Sequence, residues 1–248
     1  GHNGTLFDQS AEIGGQFNMA KVIPGKEEFH NTIRYFTKRI ESTGVNLQLN
    51  TRVEIADLEK QGFDEIVIAT GVTPRTPGIP GVDHPKVLSY VDVLRGKAEV
   101  GEKVAVIGAG GIGFDVCEFL AEAPREGEQP LPEWMKEWGV DMDSDSRGGL
   151  VEPDVEKPVR QLTLLQRKTT SLGKDLGKTS GWVHRATLKS RNVEMLAGCS
   201  YEKIDDAGLH IKIGEETRVL DVDHVILCAG QESLKELYQD GKDHFHLI

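Results

Sequence analysis

Lys103-Val104-Ala105-Val106-Ile107-Gly108-Ala109-Gly110-Gly111-Ile112-Gly113-Phe114 is the stretch on which the fold turns. Val104 to Ile107 is a short apolar run, as expected of a buried strand, and it runs straight into glycines spaced GxGxxG. In a dinucleotide-binding turn the first glycine, here Gly108, permits a tight bend. The second, Gly110, lets a pyrophosphate approach the backbone, and the third, Gly113, lets the next helix pack closely on the strand. Ala109, Gly111 and Ile112 complete the turn, and the helix N-terminus faces the phosphates. Beyond it Val116, Cys117, Phe119 and Leu120 supply an apolar helical face. An ordinary strand–turn–helix could carry three glycines, but here strand and helix patterns both flank them.

About a hundred residues precede this turn and carry strand and turn signals of their own. Thr5-Leu6-Phe7-Asp8 reads as a strand ending in an acid, the position from which a carboxylate binds an adenosine ribose. Alone, Asp8 is equally an ordinary strand-end acid. Ile13-Gly14-Gly15-Gln16 follows as a glycine turn open to positive φ or to a close ligand. Phe29, Ile33, Phe36 and Ile40 recur at helical spacing within residues 26–44, and Gly44 is a stop signal. Val45 to Leu49 alternates as a strand, and Arg52-Val53-Glu54 follows. Asp64 to Gly71 reads as a buried strand entering a turn at Ala69-Thr70-Gly71, and the Pro/Gly-rich segment 73–80 as a crossing loop.

Downstream, residues 124–158 form a long acidic insertion, including Glu126, Glu128, Asp141, Asp143, Asp145 and Asp154, with Trp134 and Trp138 four apart. A solvated loop with one packed helix and a cover over a neighbouring site are both open readings. The Asp141/143/145 spacing lacks the glycine and glutamate of a calcium loop. Gln161 to Gln166 is the next strand, and it ends in Arg167-Lys168. A carboxylate there would hold the 2′-hydroxyl of NAD; a guanidinium and an ammonium instead suit the 2′-phosphate of NADP. A surface basic pair is the plainer alternative. Residues 171–178, with two glycines, suggest a mobile loop, and His184 is more simply a packed or surface histidine than an acid or base. Residues 192–220 read as an antiparallel hairpin with turns at Asp205–Gly208 and at Gly214.

Composition narrows the classes. A formal charge of −11 argues against a general nucleic-acid partner. No apolar run nears the roughly 18–20 residues that span a bilayer, so no membrane role is expected. Cys117, Cys199 and Cys228 are scattered, with no CxxC, which gives neither a redox dithiol nor a cluster ligand set. They fit a reducing compartment, and a cytoplasmic location is the expectation.

Asp8, the Gly14-Gly15-Gln16 turn, the Ala69-Thr70-Gly71 strand and the central GxGxxG together resemble the flavoproteins with two dinucleotide-binding domains. That resemblance implies an α/β, Rossmann-like fold with an NADP domain (residues 96–224) inserted in an FAD domain (1–95 and 225–248). Val225 to Gly230 matches the strand that returns the chain to the FAD domain. Residues 13–18, 24–29, 84–90 and 176–185 narrow the likeness to the bacterial NADPH-dependent 2,4-dienoyl-CoA reductases, over essentially the whole chain. In that family an N-terminal TIM barrel carries FMN, a 4Fe–4S cluster and the dienoyl-CoA site. The resemblance implies that this chain is the C-terminal half, truncated on both sides of its FAD site and unable to complete the reaction alone. It assigns FAD contacts to Asp8, Gly14, Gly15, Gln16, Val53, Thr70 and Gly71, and NADPH to Gly108–Gly113, Arg167 and Lys168. FMN and the cluster would belong to the barrel, the partner domain of the same polypeptide. Two other readings stay open: a freestanding NADPH-binding electron-transfer module, and an amine-dehydrogenase-type flavoprotein whose second site holds ADP as a prop.

Overall fold

The computed structural model describes residues 1–124 and 129–242. Glu126, Glu128, His244 and His246 therefore lie outside the described residues. In chain order the elements begin with strand β1 (Thr5–Phe7), helices α1 (Phe17–Ala20) and α2 (Phe29–Thr43), strand β2 (Asn46–Gln48), helix α3 (Ile55–Gln61) and strand β3 (Val72–Pro74). They continue through β4 (Val87–Ser89), α4 (Tyr90–Leu94), β5 (Lys103–Ile107), α5 (Gly111–Ala121), α6 (Leu131–Glu137) and β6 (Gln161–Leu165). The rest are α7 (Gly181–Ser190), β7 (Glu194–Leu196), β8 (Cys199–Asp205), β9 (Gly208–Ile213), β10 (Glu216–Leu220), β11 (His224–Leu227), β12 (Gln231–Ser233) and α8 (Glu236–Gly241).

The chain forms two compact units. One comprises Gly1–Lys21, Lys26–Pro74 and Gln231 onward; the other comprises Val22–Gly25 and Arg75–Gly230. These divisions fall at 74/75 and 230/231, not at the expected 95/96 and 224/225. The reason is strand pairing. β4 and β11, which the expected boundaries placed in the first domain, hydrogen-bond into the second unit's main sheet.

That sheet is parallel throughout, in the order β4-β11-β5-β6-β7. β5 lies at its centre, and Val104, Ala105, Val106 and Ile107 are each at most 1% exposed. Such continuous apolarity marks a strand covered on both faces. Ala105, Ile107, Leu165 and Val225 face a core shared with Ile204, Leu209, Ile211 and Leu220 of an antiparallel sheet ordered β10-β9-β8. The residues of the opposite pleat face the helices: Leu164 lies beside Gly113 of α5. Side chains thus alternate between two layers with the period of two that a strand imposes. The expected hairpin is a three-stranded meander, with positive φ at Gly208 and Gly214 where turns were read.

The first unit is thinner. β1 and β2 form a two-stranded parallel sheet, and α2 ends at Gly44, which takes the left-handed conformation (φ 72°). α3 begins with a capping box between Glu54 and Asp57. Among the described residues, the strand expected over residues 64–71 has no ladder. Ile66 makes one bridge, residues 67–71 carry no regular element, and Val67 is 69% exposed. Pairing begins only at β3, whose partner is the antiparallel β12. A parallel ladder needs a neighbouring strand in register, and among the described residues β1 and β2 pair with each other. No helix among the described residues is long and apolar enough to cross a membrane.

Candidate nucleotide site

The glycine turn sits at the carboxyl end of β5, between β11 on one side and β6 on the other. From β5 the chain moves outward through β6 to β7, while β11 occupies the opposite flank. The connections therefore reverse here, and open α/β sheets place their ligand crevices at such switch points.

Two of the glycines are required by the protein itself. Gly108 has φ 113°, and a Cβ there would lie 2.2 Å from the Cys228 carbonyl oxygen. A Cβ on Gly113 would lie 1.8 Å from the Gly108 carbonyl oxygen, so only glycine lets α5 start this close to the strand. Gly110 and Gly111 differ. Neither has positive φ, and an added Cβ would meet no atom within 4 Å. The fold gives no reason for glycine at these two positions. Open space above the N-terminus of an 11-residue helix suits an anionic group, since the first amides of α5 lack intrahelical acceptors.

The backbone that carries Arg167 and Lys168 is pinned from both sides. The Gln166 amide donates to the Leu196 carbonyl (3.0 Å), and the Cys199 amide donates to the Gln166 carbonyl (3.0 Å). The Gly198 amide donates to the Lys168 carbonyl (2.9 Å). The Gln166 side-chain amide donates to the carbonyls of Lys168 and Thr170 and folds the chain back. Arg167 and Lys168 consequently project as exposed cations from a rigid base. Lys168 is engaged: its ammonium lies 2.7 Å from the Asp175 carboxylate.

The loop after β6 is anchored rather than loose. Leu172 is buried. Gly173 lies against the Phe114 ring, where a Cβ would come within 2.8 Å, and its carbonyl accepts from Arg185 Nη1 (2.9 Å). His184, on α7, pairs through Nδ1 with the almost fully buried Glu118 of α5 at 2.7 Å. Asp115 joins them, with the three donor atoms within 4.8 Å of one another. This group has no spacing signal along the chain, because the histidine comes from a different helix; the pair ties α7 to α5.

The acidic insertion contains the expected helix, α6, with the Trp134 and Trp138 ring centroids 6.1 Å apart. Its anchor is a residue that sequence reading passed over. Arg191 is 1% exposed and donates to Glu137 (2.7 Å), Glu122 (3.2 Å) and the Glu156 carbonyl (2.9 Å). Its Nε has no partner among the described residues.

The positions assigned to FAD all lie in the first unit, and no single described cavity gathers them. Asp8 accepts a hydrogen bond from the Ser10 amide (2.8 Å) and so caps a turn at the end of β1. Gln16 accepts from Gln231 Nε2 (3.2 Å). Thr70 donates to the Leu234 carbonyl (2.7 Å), and the Gly71 carbonyl accepts from the Leu234 amide (3.0 Å). Val53 is half-buried just before α3, and Gly15 (φ 48°) is open. Only Gly14 lines the hollow of about 230 Å³ that this unit contains, among Leu6, Ile13, Phe17, Thr32, Ile33, Phe36 and Ile40. That hollow is apolar and offers little to a phosphate.

The three cysteines are free and buried. Burial raises the thiols of Cys117, Cys199 and Cys228, so none is primed as a nucleophile.

Comparison with known proteins sets this geometry in context. The family model described as pyridine nucleotide-disulphide oxidoreductase matches residues 5–245. The chain is 28% identical to a metal reductase of Desulforamulus reducens, covering 96% of this chain and 35% of the relative. It is 25% identical to a cinnamate reductase of Clostridium sporogenes, covering 97% of this chain and 31% of the relative. Among solved structures, a 2-naphthoyl-CoA reductase in complex with 2-naphthoyl-CoA superposes with TM-score 0.78 at 24% identity. That match covers 100% of this chain and 32% of the other. The chain thus spans about a third of the length of these relatives.

Proposed function

The chain belongs to the pyridine nucleotide-disulphide oxidoreductase family, and from that premise we propose that its second unit binds NADPH for delivery of reducing equivalents to FAD. The family's α/β, Rossmann-like fold binds FAD and NAD(P). The observation that carries the choice of NADPH is the pinned Arg167-Lys168 pair after β6, with no carboxylate in its place.

In this reading the amides at the start of α5 hold the pyrophosphate over Gly108, Ala109, Gly110, Gly111, Ile112 and Gly113. Arg167 and Lys168 hold the 2′-phosphate. When bound, the nicotinamide and the flavin supply the hydride chemistry; the protein orients them and excludes water. Asp8, Gly14, Gly15, Gln16, Val53, Thr70 and Gly71 are the proposed FAD positions. The whole activity belongs to a longer polypeptide, for which we propose a 2,4-dienoyl-CoA reductase type with a TIM barrel bearing FMN and a 4Fe–4S cluster. The cinnamate reductase name of one relative and the 2-naphthoyl-CoA of the superposed reductase support an unsaturated, conjugated substrate class, while the metal reductase name of the other relative does not bear on it.

Calorimetric titration with NADPH, NADH and ADP tests the nucleotide assignment. NADPH should bind most tightly. Arg167→Ala should weaken NADPH about tenfold, the low end for a charge-assisted contact at an exposed site, and leave NADH unchanged. NADH binding as tightly as NADPH would refute the assignment, and ADP binding as tightly as NADPH would support the structural-prop alternative.

A further inference from the structure

We propose that Asp175 is a specificity-determining residue of the nucleotide site: it holds Lys168 as a counter-ion and so moderates the preference for a 2′-phosphorylated cofactor. The inference rests on the NADPH reading above and deepens it. Lys168 Nζ and Asp175 Oδ2 are 2.7 Å apart, although both side chains are mostly exposed. The contact is built, not incidental. Asp175 lies between two fixed points of its loop, the buried Leu172-Gly173 pair and Leu176, whose amide donates to the Gly173 carbonyl (3.2 Å). Arg185 clamps that same carbonyl from α7. On the other side, Lys168 springs from the pinned backbone after β6. The attraction to Lys168, with a smaller contribution from Lys174, holds the Asp175 carboxyl below the ordinary carboxylate range. Asp175 therefore stays ionised at neutral pH.

The consequence follows from charge. A 2′-phosphate adds nearly two negative charges and needs the Lys168 ammonium. It must draw that ammonium away from Asp175 and then sit near the remaining carboxylate. A 2′-hydroxyl is neutral and requires neither. Asp175 thus costs NADPH affinity and spares NADH. Exposed ion pairs are weak and screened, so the effect is graded and leaves NADPH able to displace the pair.

The test is equilibrium titration of the wild-type chain and Asp175→Asn with NADPH and with NADH. Asp175→Asn should tighten NADPH about two- to fivefold, the range set by an exposed pair, and leave NADH unchanged. The gain should shrink in a Lys168→Ala background and at high salt. Unchanged or weaker NADPH binding in Asp175→Asn would overturn the proposal, as would an equal gain for NADH. The parent reading has its own readout. If Arg167→Ala leaves NADPH binding intact, the 2′-phosphate does not sit here and both fail; if Arg167→Ala weakens it while Asp175→Asn changes nothing, only this inference fails.

Discussion

Arg191 shows how much one buried cation can decide. It is enclosed by the carboxylates of Glu122 and Glu137 and the Glu156 carbonyl. Truncation leaves two poorly solvated carboxylates facing each other, and breaking such a group by removing one partner costs on the order of 3 kcal/mol or more. Arg191→Met should lower the denaturation midpoint accordingly, and adding Glu122→Gln with Glu137→Gln should recover part of the loss. A midpoint unchanged in Arg191→Met would mean the ion pairs contribute nothing. The thiols give a second expectation at this scale. Buried, raised thiols stay protonated, so Ellman's reagent should react with none of the three cysteines in the native protein and with all three after denaturation.

Among the elements, β5 with its turn was the most legible, because a strand covered on both faces and a glycine turn each leave a dense local signal. Gly108 and Gly113 could be read as required, and the structure supplies the atoms that require them. The end of β6 was also legible, since its apolar run gives way to the exposed pair Arg167-Lys168. What was not legible came from distance in the chain. The His184–Glu118 pair joins residues 66 apart, and Arg191 reaches back to an insertion whose own sequence reads only as acidic and irregular. Asp175 carries no signal of its own within the loop 171–178, and only the fold sets it beside Lys168. The segment 64–71 differs for the converse reason: its composition suits a strand, but a strand exists only with a neighbour, and among the described residues no ladder pairs it.

The meander carries a pH-dependent link. Glu194 of β7 makes a two-pronged pair with Arg218 of β10 (2.8 and 3.2 Å) and accepts from Thr163 (3.1 Å). Arg218 is the main cause holding the Glu194 carboxyl below its ordinary 4.5, with Thr163 assisting. A carboxyl depressed in the folded state contributes stability above the unfolded value and loses it as pH falls through the folded one. Arg218→Leu should therefore be less stable than wild type at pH 7, and the gap should close as pH falls below about 4.5. Both side chains are over a third exposed, so solvent screens the effect and the gap is modest.

At the scale of the molecule, the two units differ in how much they bury. The second holds the shared core of Ala105, Ile107, Leu165, Ile211 and Val225. In the first, Leu58 and Ile66 are the buried hydrophobic residues among those described, while Leu6, Phe17, Tyr35 and Phe36 stay exposed. Local stability follows buried apolar contact. Hydrogen exchange should therefore be fast in β1, α2 and β2 and slow in β5 and β6; equal protection would contradict this. The function assigned to the second unit rests on the glycines its own fold does not need. Gly110→Ala separates the two roles, because a Cβ there strains no backbone and touches no protein atom. The deciding measurement is the NADPH dissociation constant of Gly110→Ala beside its thermal midpoint. If a pyrophosphate lies against this backbone, the midpoint stays at the wild-type value and NADPH binds at least about tenfold more weakly. Unchanged NADPH affinity in a fully stable variant would contradict a nucleotide at this turn.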